Sequence, residues 1–240
     1  MSLDVLYLCK DRAAFTRASM RCLLDNTDWA LVDNFFVYDD GSSPREKKVV
    51  YEMVHGHDWS RSPGLKVQIR NTEFGSPVAI MNDYLGRSEA DVFAKIDNDI
   101  IVPPAWLVVM LQVLKDSPDI GLLGMQAGMG HRPPPDWDGV YRAEPATHIG
   151  GVGLMRRRVF ERFGTPVPNG RFGFTEWQHR NHPQPAWITP DLQLFALDFL
   201  PFEPWKSLSD AYKLVRIQRN WPIYDPEMNW YWDWWEGSKL

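Results

Sequence analysis

Asp97 and Asp99 flank a single asparagine at the end of an apolar run, and their spacing suits metal chemistry. The run at 92–96 is typical of a buried strand, so both carboxylates stand at its carboxyl end. In an extended backbone, residues i and i+2 point to the same side. The two acids can therefore share one hard cation, which prefers oxygen ligands and can hold a diphosphate. Ligands of open α/β sheets bind at this edge. A simple turn is the alternative interpretation.

A second acidic pair lies upstream, where Asp39 and Asp40 follow the apolar run 35–38. These carboxylates can accept hydrogen bonds from a base N–H and from ribose hydroxyls. Gly41 permits a sharp exit of the chain or a close approach of backbone to a ligand. The segment is also typical of a strand-to-helix turn, with a serine as N-cap and Pro44 at the first helical position. The two interpretations are compatible.

Apolar runs of strand length alternate with helical patterns along the first half of the chain. This alternation predicts an α/β fold, with a largely parallel sheet and helices on both faces. Strands are predicted near 4–9, 35–38, 66–70, 92–97 and 121–126, and helices near 12–24, 45–55, 77–86 and 104–115. The arginines of the first predicted helix, including Arg12, are expected to be mostly solvated.

Four segments follow one another in an order that resembles a known family. They are the strand and charged turn 5–12, the acidic segment 37–42, the helix start 75–82 and the acidic segment 96–99. Together they resemble nucleotide-sugar-dependent glycosyltransferases of family 2 type, which have the GT-A fold. Further along, 150–160 is similar to the strand and helix on the acceptor side of that family. Order and spacing carry the resemblance, which is best over the first half.

The resemblance implies a metal-assisted transfer of a sugar from a nucleoside-diphosphate sugar, UDP-linked, to an acceptor hydroxyl. The residues that it implies for the donor are Asp11, Asp39, Asp40, Asn82 and Asp97. It further implies Mn²⁺ or Mg²⁺ held by Asp97 and Asp99. A late strand often supplies a third ligand, for which Asp198 is the candidate. The family commonly has histidine there, and a strand-end turn acid is the alternative.

The family also has a general base at the start of a helix that faces the sugar, where this chain has Glu176. Such a base takes the proton of the acceptor hydroxyl in an inverting single displacement. The family often has Glu-Asp, whereas this chain has Thr175 before Glu176. A first-turn acid favoured by the helix dipole is the alternative. His148 is a candidate for the acceptor pocket, and His179 and His182 are expected to form a surface pair.

Composition fits an enzyme that is not anchored in a membrane. The net charge of -5 gives no general attraction to nucleic acid or anionic membranes. Cys9 and Cys22 have neither a disulfide nor a metal spacing, which favours a reducing compartment and a cytoplasmic location. No apolar stretch approaches the roughly 20 residues that span a bilayer.

The chain is predicted to form one continuous GT-A domain with two halves. Residues 1–127 would bind the nucleotide sugar, and residues 128–240 would bind the acceptor. The second half contains a proline-rich segment, 128–139, that no regular element accommodates. Its aromatic tail, 221–235, is expected to pack against the domain or form an oligomer contact, with sugar stacking as the alternative.

Two other functions account for parts of this pattern. A non-catalytic carbohydrate-binding module explains the tryptophans but not two acid-tipped strands. A sugar-nucleotide pyrophosphorylase-like enzyme shares the broad fold, but it needs a glycine-rich phosphate loop after the first strand, where this chain has no glycine. For a transferase, the acceptor stays open among a glycan, a lipid-linked intermediate, a protein and a modified nucleobase.

Overall fold

The computed structural model describes residues 1–125, 136–168, 173–190, 192 and 195–196. The first half consists of β1 Leu3–Cys9, α1 Ala13–Asn26, β2 Asn34–Asp40, α2 Pro44–Gly56, β3 Lys66–Thr72, α3 Pro77–Leu85, β4 Val92–Asp97, β5 Ile100–Ile101 and α4 Trp106–Asp116. Short 3₁₀ turns precede β2 and β3 at Trp29–Leu31 and Trp59–Arg61. The remaining elements are β6 Leu122–Gly124, β7 Arg142–Pro145, β8 Gly153–Arg156, α5 Arg157–Phe163, α6 Gly173–Asn181, β9 Pro185–Thr189 and β10 Phe195–Ala196. These bounds confirm the predicted alternation of strands and helices.

In the described part of the chain, eight strands form one sheet in the order β3-β2-β1-β4-β8-β6-β9-β7. The first four strands in chain order are mutually parallel. β8 runs antiparallel between β4 and β6, which makes the sheet mixed. β5 and β10 form a separate antiparallel pair. The predicted α/β fold with a mostly parallel sheet is confirmed, and the segment that resembled an acceptor-side strand and helix is β8 followed by α5.

The central strands are apolar along their whole length because both faces of the sheet are covered. β1 is buried at every position. Val5 and Tyr7 pack on the face that carries α1, α2 and α4, whereas Leu6 and Leu8 pack on the face that carries α3, α5 and α6. Successive residues of a strand point to opposite faces, so a strand that is covered twice loses the usual polar alternation.

Two helices begin directly after the carboxyl ends of β2 and β3. The Ser43 hydroxyl accepts a hydrogen bond from the Glu46 N–H, and Pro44 occupies the first turn of α2, as predicted. α3 begins in the same way, with Ser76 as its N-cap. Gly41 lies in the left-handed region with φ 80°, which favours glycine at this sharp exit from β2. The amino ends of α2 and α3 are therefore fixed beside the acidic strand ends.

Several predictions fall on residues that the structure does not describe. These are the proline-rich segment up to residue 135, the boundary between the two predicted halves, Asp198 and the aromatic tail. Within the described residues, no helix is both long enough and apolar enough to cross a membrane. Cys9 and Cys22 are buried and form no disulfide.

Candidate functional site

The two acidic pairs meet at one edge of the sheet, where β1, β2 and β4 end. In the parallel register, Asp39 lies opposite Cys9, and Asp97 lies opposite Leu8. A first cavity of about 250 Å³ opens at these strand ends and at the start of α3. It is lined by Leu8, Cys9, Lys10, Asp40, Gly75, Pro77, Ile80, Asp97, Asn98 and Asp99. The folded chain thus brings together acids that are nearly sixty residues apart in the sequence.

Asp97 has a basic partner that the sequence analysis missed. The ammonium Nζ of Lys95 lies 2.6 Å from Asp97 Oδ1, and only 5% of the Lys95 side chain is exposed. Lys95 and Asp97 are two residues apart within β4, so strand periodicity puts their side chains on the same side, whereas Asp99 lies in the turn that follows the strand. A lysine inside an apolar run was the available signal. Within the described residues, Asp97 Oδ2 makes no hydrogen bond and stays available to a ligand.

Asp99 faces the first turn of α1 rather than open solvent. Arg12 Nη1 lies 3.6 Å from Asp99 Oδ2, and the Arg12 guanidinium also stacks over the Phe15 ring at 4.0 Å. The expectation that Arg12 is mostly solvated is therefore wrong, since about a quarter of its side chain is exposed, 27%. The cause is backbone geometry: Arg12 has φ 61°, a left-handed conformation that turns the side chain toward the strand ends.

Asp39 is a buried carboxylate with one unused oxygen. It is 1% exposed, and its Oδ1 accepts a hydrogen bond from the Ser42 N–H at 2.9 Å. Its Oδ2 is buried and has no hydrogen-bond partner in the part of the chain that the structure describes. A buried acceptor without a partner costs about 1–3 kcal/mol, although Asp39 itself does not line the first cavity. Burial, and after it the charge of Asp39, raises the pKa of the Cys9 thiol, which stays neutral.

Asp40 organises the walls of the first cavity. Its Oδ1 accepts hydrogen bonds from the Phe74 N–H at 2.6 Å and from the Thr72 hydroxyl at 3.3 Å. Its Oδ2 lies 3.9 Å from Lys10 Nζ, which is more than half exposed at the rim. Asp40 therefore fixes the connection from β3 to α3 and keeps one cation at the mouth of the cavity.

Asp11 and Asn82 hold neighbouring loops in place. Asp11 Oδ1 accepts a hydrogen bond from the Ser43 N–H at 3.2 Å, and the Asp11 carbonyl accepts one from the Asn98 amide at 3.1 Å. Asn82 donates to the Pro166 carbonyl at 2.7 Å, while its Oδ1 is buried without a partner among the described residues. Neither residue lines the first cavity, although Asp11 holds Asn98, which does line it, and Asn82 lies on α3, whose first turn borders the cavity.

A second cavity of about 200 Å³ adjoins the first on the side of α3 and α6. It is lined by Pro77, Val78, Met81, Lys95, Asp97, Gly151, Phe174 and Thr175. Pro77 and Asp97 line both cavities and form their common wall. The Gln178 side chain holds the segment before Gly151 by bonding both the N–H and the carbonyl of Ile149. The backbone at Gly151 is thereby fixed against Lys95.

Glu176 lies in the first turn of α6, as predicted, but it does not line either cavity within the described residues. Its carboxylate is hydrogen-bonded to Arg180, and its side chain is 46% exposed. The preceding residue, Thr175, lines the second cavity instead. A catalytic role for Glu176 stays a prediction, and it requires the carboxylate to exchange Arg180 for an acceptor hydroxyl.

The histidines pair differently from the sequence expectation. His179 Nε2 lies 3.3 Å from His148 Nδ1, and the two rings are in edge contact. His182 follows the last residue of α6 with φ 48°, so it does not share a helical face with His179. The surface pair is therefore His148 with His179, and it lies on the α6 side of the sheet.

The carboxylates of Asp97 and Asp99 suit a divalent cation chemically, because both line the first cavity and offer oxygen donors. Among the described residues, no group of three or more histidine, cysteine, aspartate or glutamate side chains is arranged to hold a metal. The candidate third ligand, Asp198, is outside those residues. The oxygen donors among the described residues are therefore compatible with Mn²⁺ or Mg²⁺, but they do not complete a metal site.

No protein-family model matches the chain, and no curated protein matches its sequence. Solved structures do match its fold. The mannosyltransferase PcManGT from Pyrobaculum calidifontis, in complex with GDP-Man and Mn²⁺, has a TM-score of 0.60 at 14% identity, over 91% of this chain and 60% of that one. S. aureus TarS 1-349 in complex with UDP-GlcNAc has a TM-score of 0.58 at 15% identity, over 90% and 65%.

A third match is glucosyl-3-phosphoglycerate synthase from Mycobacterium tuberculosis in complex with Mn²⁺, UDP and glucosyl-3-phosphoglycerate. Its TM-score is 0.52 at 14% identity, over 78% of this chain and 68% of that one. The chain thus spans less than two thirds of the length of PcManGT and of TarS 1-349 in the two matches above. The protein therefore has the α/β fold of GT-A-type nucleotide-sugar glycosyltransferases. At these identities the likeness concerns the fold.

Proposed function

We propose that the protein is a glycosyltransferase that uses a nucleoside-diphosphate sugar as donor. The observation that carries this proposal is the first cavity, where two acid-tipped parallel strands converge at the carboxyl edge of a GT-A-type sheet. Ligands of open α/β sheets bind at this edge. Matching structures with GDP-Man, UDP-GlcNAc and UDP support the same chemical class of donor.

The donor nucleotide, UDP in this proposal, occupies the first cavity. Asp39 offers its unused Oδ2 to an N–H of the base or a hydroxyl of the ribose, which relieves a buried acceptor. Asp40, Asp11 and Asn82 act mainly on the loops around the nucleotide, because their hydrogen bonds already hold those loops. Lys10 at the rim adds positive charge near the phosphates.

Asp97 and Asp99 are the proposed ligands of Mn²⁺ or Mg²⁺, with Asp198 as the third. When bound, the cation neutralises charge on the diphosphate leaving group. The chain contributes two fixed cations of its own at the same place, because Lys95 lies against Asp97 and Arg12 lies against Asp99. These partners orient the carboxylates before any ligand arrives.

Glu176 is the proposed general base for a single inverting displacement. The first turn of α6 borders the second cavity through Thr175, and this role requires a rotamer change that carries the Glu176 carboxylate toward that cavity. Deprotonation of the acceptor hydroxyl makes it a nucleophile, and the diphosphate leaves from the opposite face of the sugar. The acceptor is a hydroxyl of a glycan, a lipid-linked intermediate, a protein or a modified nucleobase.

Calorimetric titration tests the proposal directly. UDP should bind the protein in the presence of Mn²⁺, and a panel of nucleotide sugars should yield at least one donor that the protein slowly hydrolyses to the nucleoside diphosphate. Titration with free glycans is the control, because a binding module responds to glycan without nucleotide. If neither UDP nor GDP binds with Mn²⁺ or Mg²⁺ present, the proposed function is wrong.

A further inference from the structure

Lys95 is a buried cation that uses only one of its hydrogen-bond donors within the described part of the chain. Its side chain is 5% exposed, and its one hydrogen bond in the described part of the chain goes from Nζ to Asp97 Oδ1. An ammonium group has three donors. Two of them therefore lack a protein acceptor at a site from which water is largely excluded. Unsatisfied buried donors are costly, so such an arrangement indicates a ligand that supplies the missing acceptors.

The position of Lys95 decides which part of a donor it meets. Lys95 lines the second cavity and does not line the first, whereas Asp97 belongs to both. This inference rests on the proposed function, in which the nucleotide occupies the first cavity. A group attached beyond the diphosphate then passes Asp97 and enters the second cavity, where Lys95 is the residue with free donors.

The space around Lys95 is shaped to leave its ammonium accessible from the cavity. A Cβ atom at residue 151 would lie only 3.1 Å from Lys95 Nζ, so Gly151 keeps the opposite side open. Val78, Met81 and Phe174 supply apolar walls. A ring with C–H faces and peripheral hydroxyls, the form of a monosaccharide, suits apolar walls with one polar corner.

The charge of that polar corner favours a neutral ring. Lys95 and Asp97 form an ion pair, so their charges offset each other and present a donor beside an acceptor. A sugar hydroxyl both donates and accepts, which matches such a pair. A carboxylate would instead meet Asp97 as a like charge. We propose that Lys95 is a specificity-determining residue that hydrogen-bonds a hydroxyl of the neutral monosaccharide being transferred.

Calorimetry with Mn²⁺ tests this by comparing UDP with UDP-glucose, UDP-N-acetylglucosamine and UDP-glucuronate. The parent protein should bind at least one neutral UDP-sugar more tightly than it binds UDP. Lys95→Met keeps a long, unbranched side chain but removes the ammonium group and its donors. It should weaken the binding of that UDP-sugar by roughly ten- to hundredfold more than it weakens the binding of UDP, because the loss for UDP reports only the contact with Asp97.

Two further variants control for indirect effects. Lys10→Met removes the cation at the rim of the first cavity. It should lower the affinity for UDP and the affinity for the UDP-sugar by the same factor. Gly151→Ala crowds Lys95 Nζ without touching the first cavity, and it should weaken only the UDP-sugar. Circular dichroism and thermal unfolding of each variant establish that it is folded. Gly151→Ala thus gives an independent result if Lys95→Met does not fold.

Distinct results would overturn the proposal. Equal weakening of UDP and the UDP-sugar in Lys95→Met would assign Lys95 to the diphosphate. Unchanged affinity for both would make Lys95 a purely structural partner of Asp97. A parent preference for UDP-glucuronate over the neutral sugars would contradict a neutral monosaccharide. A parent that binds no nucleotide fails the proposed function itself, and this inference fails with it.

Discussion

The two ends of the parallel strands use aspartate in opposite ways. At the amino end, the turns Trp29–Leu31 and Trp59–Arg61 are built alike, and Asp28 and Asp58 each accept a hydrogen bond from the N–H two residues ahead. Trp29 and Trp59 each donate to a carbonyl five residues back at 2.9 Å. At the carboxyl end, Asp39 instead has a buried Oδ2 that accepts no hydrogen bond from the described residues.

Cavity size alone would favour the amino end over the proposed site. The amino end has a cavity of about 400 Å³, larger than the first cavity, and it also contains several acids. Its cap acids and indoles are already paired with their own backbone neighbours, so they complete two local turns. The carboxyl end differs because Asp39 Oδ2 and the Lys95 ammonium can each form further hydrogen bonds that no described residue provides. Unsatisfied polar groups, rather than cavity volume, therefore distinguish the carboxyl end, where the binding site is proposed.

The largest expected effect concerns Glu176, the proposed base. Glu176→Gln should bind the nucleotide sugar normally and transfer it about 10²–10⁴-fold more slowly, because the base acts on the acceptor rather than on the diphosphate. Initial rates and donor affinity should be measured together. Glu161→Gln is the matched control, since Glu161 also forms an i, i+4 ion pair with an arginine, which is Arg157 on α5. Parental turnover in Glu176→Gln excludes this base, and a product with retained anomeric configuration excludes the single displacement.

The next prediction compares an acid at the carboxyl end of the strands with an acid at the amino end. Asp99→Ala should abolish the Mn²⁺-dependent part of UDP binding, because it removes one of the two proposed ligands from the first cavity. Titrations of UDP with and without Mn²⁺ provide the measurement. Asp25→Ala removes an acid from the amino-end cavity and should leave both titrations unchanged. Unchanged Mn²⁺ and UDP titrations in a folded Asp99→Ala variant would remove Asp99 from the metal site.

A smaller effect is expected where the nucleotide itself is recognised. Asp39→Asn and Asp40→Asn should each lower UDP affinity by roughly ten- to hundredfold, which corresponds to a lost hydrogen bond to a charged group. Asp39 is the sharper test because its Oδ2 has no partner among the described residues, whereas Asp40 also supports Phe74. If both variants bind UDP like the parent, the nucleotide lies elsewhere.

The smallest effect lies at the amino end and should appear in stability alone. Trp29→Phe removes the donor of a buried hydrogen bond to the Leu24 carbonyl, and the free energy of unfolding in urea should fall by about 1–3 kcal/mol. UDP affinity should not change. Leu31→Ala, at a position that is 42% exposed, is the control for disturbance of the same turn. Weaker UDP binding in a fully folded Trp29→Phe protein would show that the two ends are coupled.

Local patterns in the sequence were sufficient for the elements and for the acidic strand ends. Apolar runs, serine caps and glycine exits are read within a few neighbouring residues, and β1, β2, β4, α2 and α3 all follow from them. The convergence of Asp40 with Asp97 and Asp99 was also predictable, because parallel strands that alternate with helices end at one edge. The division into two halves and the role of Asp198 remain predictions.

Tertiary structure decided which partners these side chains have. Arg12 and Asp99 are distant in the sequence, and a left-handed turn after β1 brings them together. The orientation of α6 puts Thr175 rather than Glu176 on the second cavity, and it pairs His179 with His148. Such outcomes depend on how whole elements pack, to within a few ångströms, which local periodicity does not specify. The sequence by itself determined the fold class, the acids at the sheet edge and, through strand periodicity, the Lys95 partner of Asp97, whereas packing decided the Arg12 partner of Asp99.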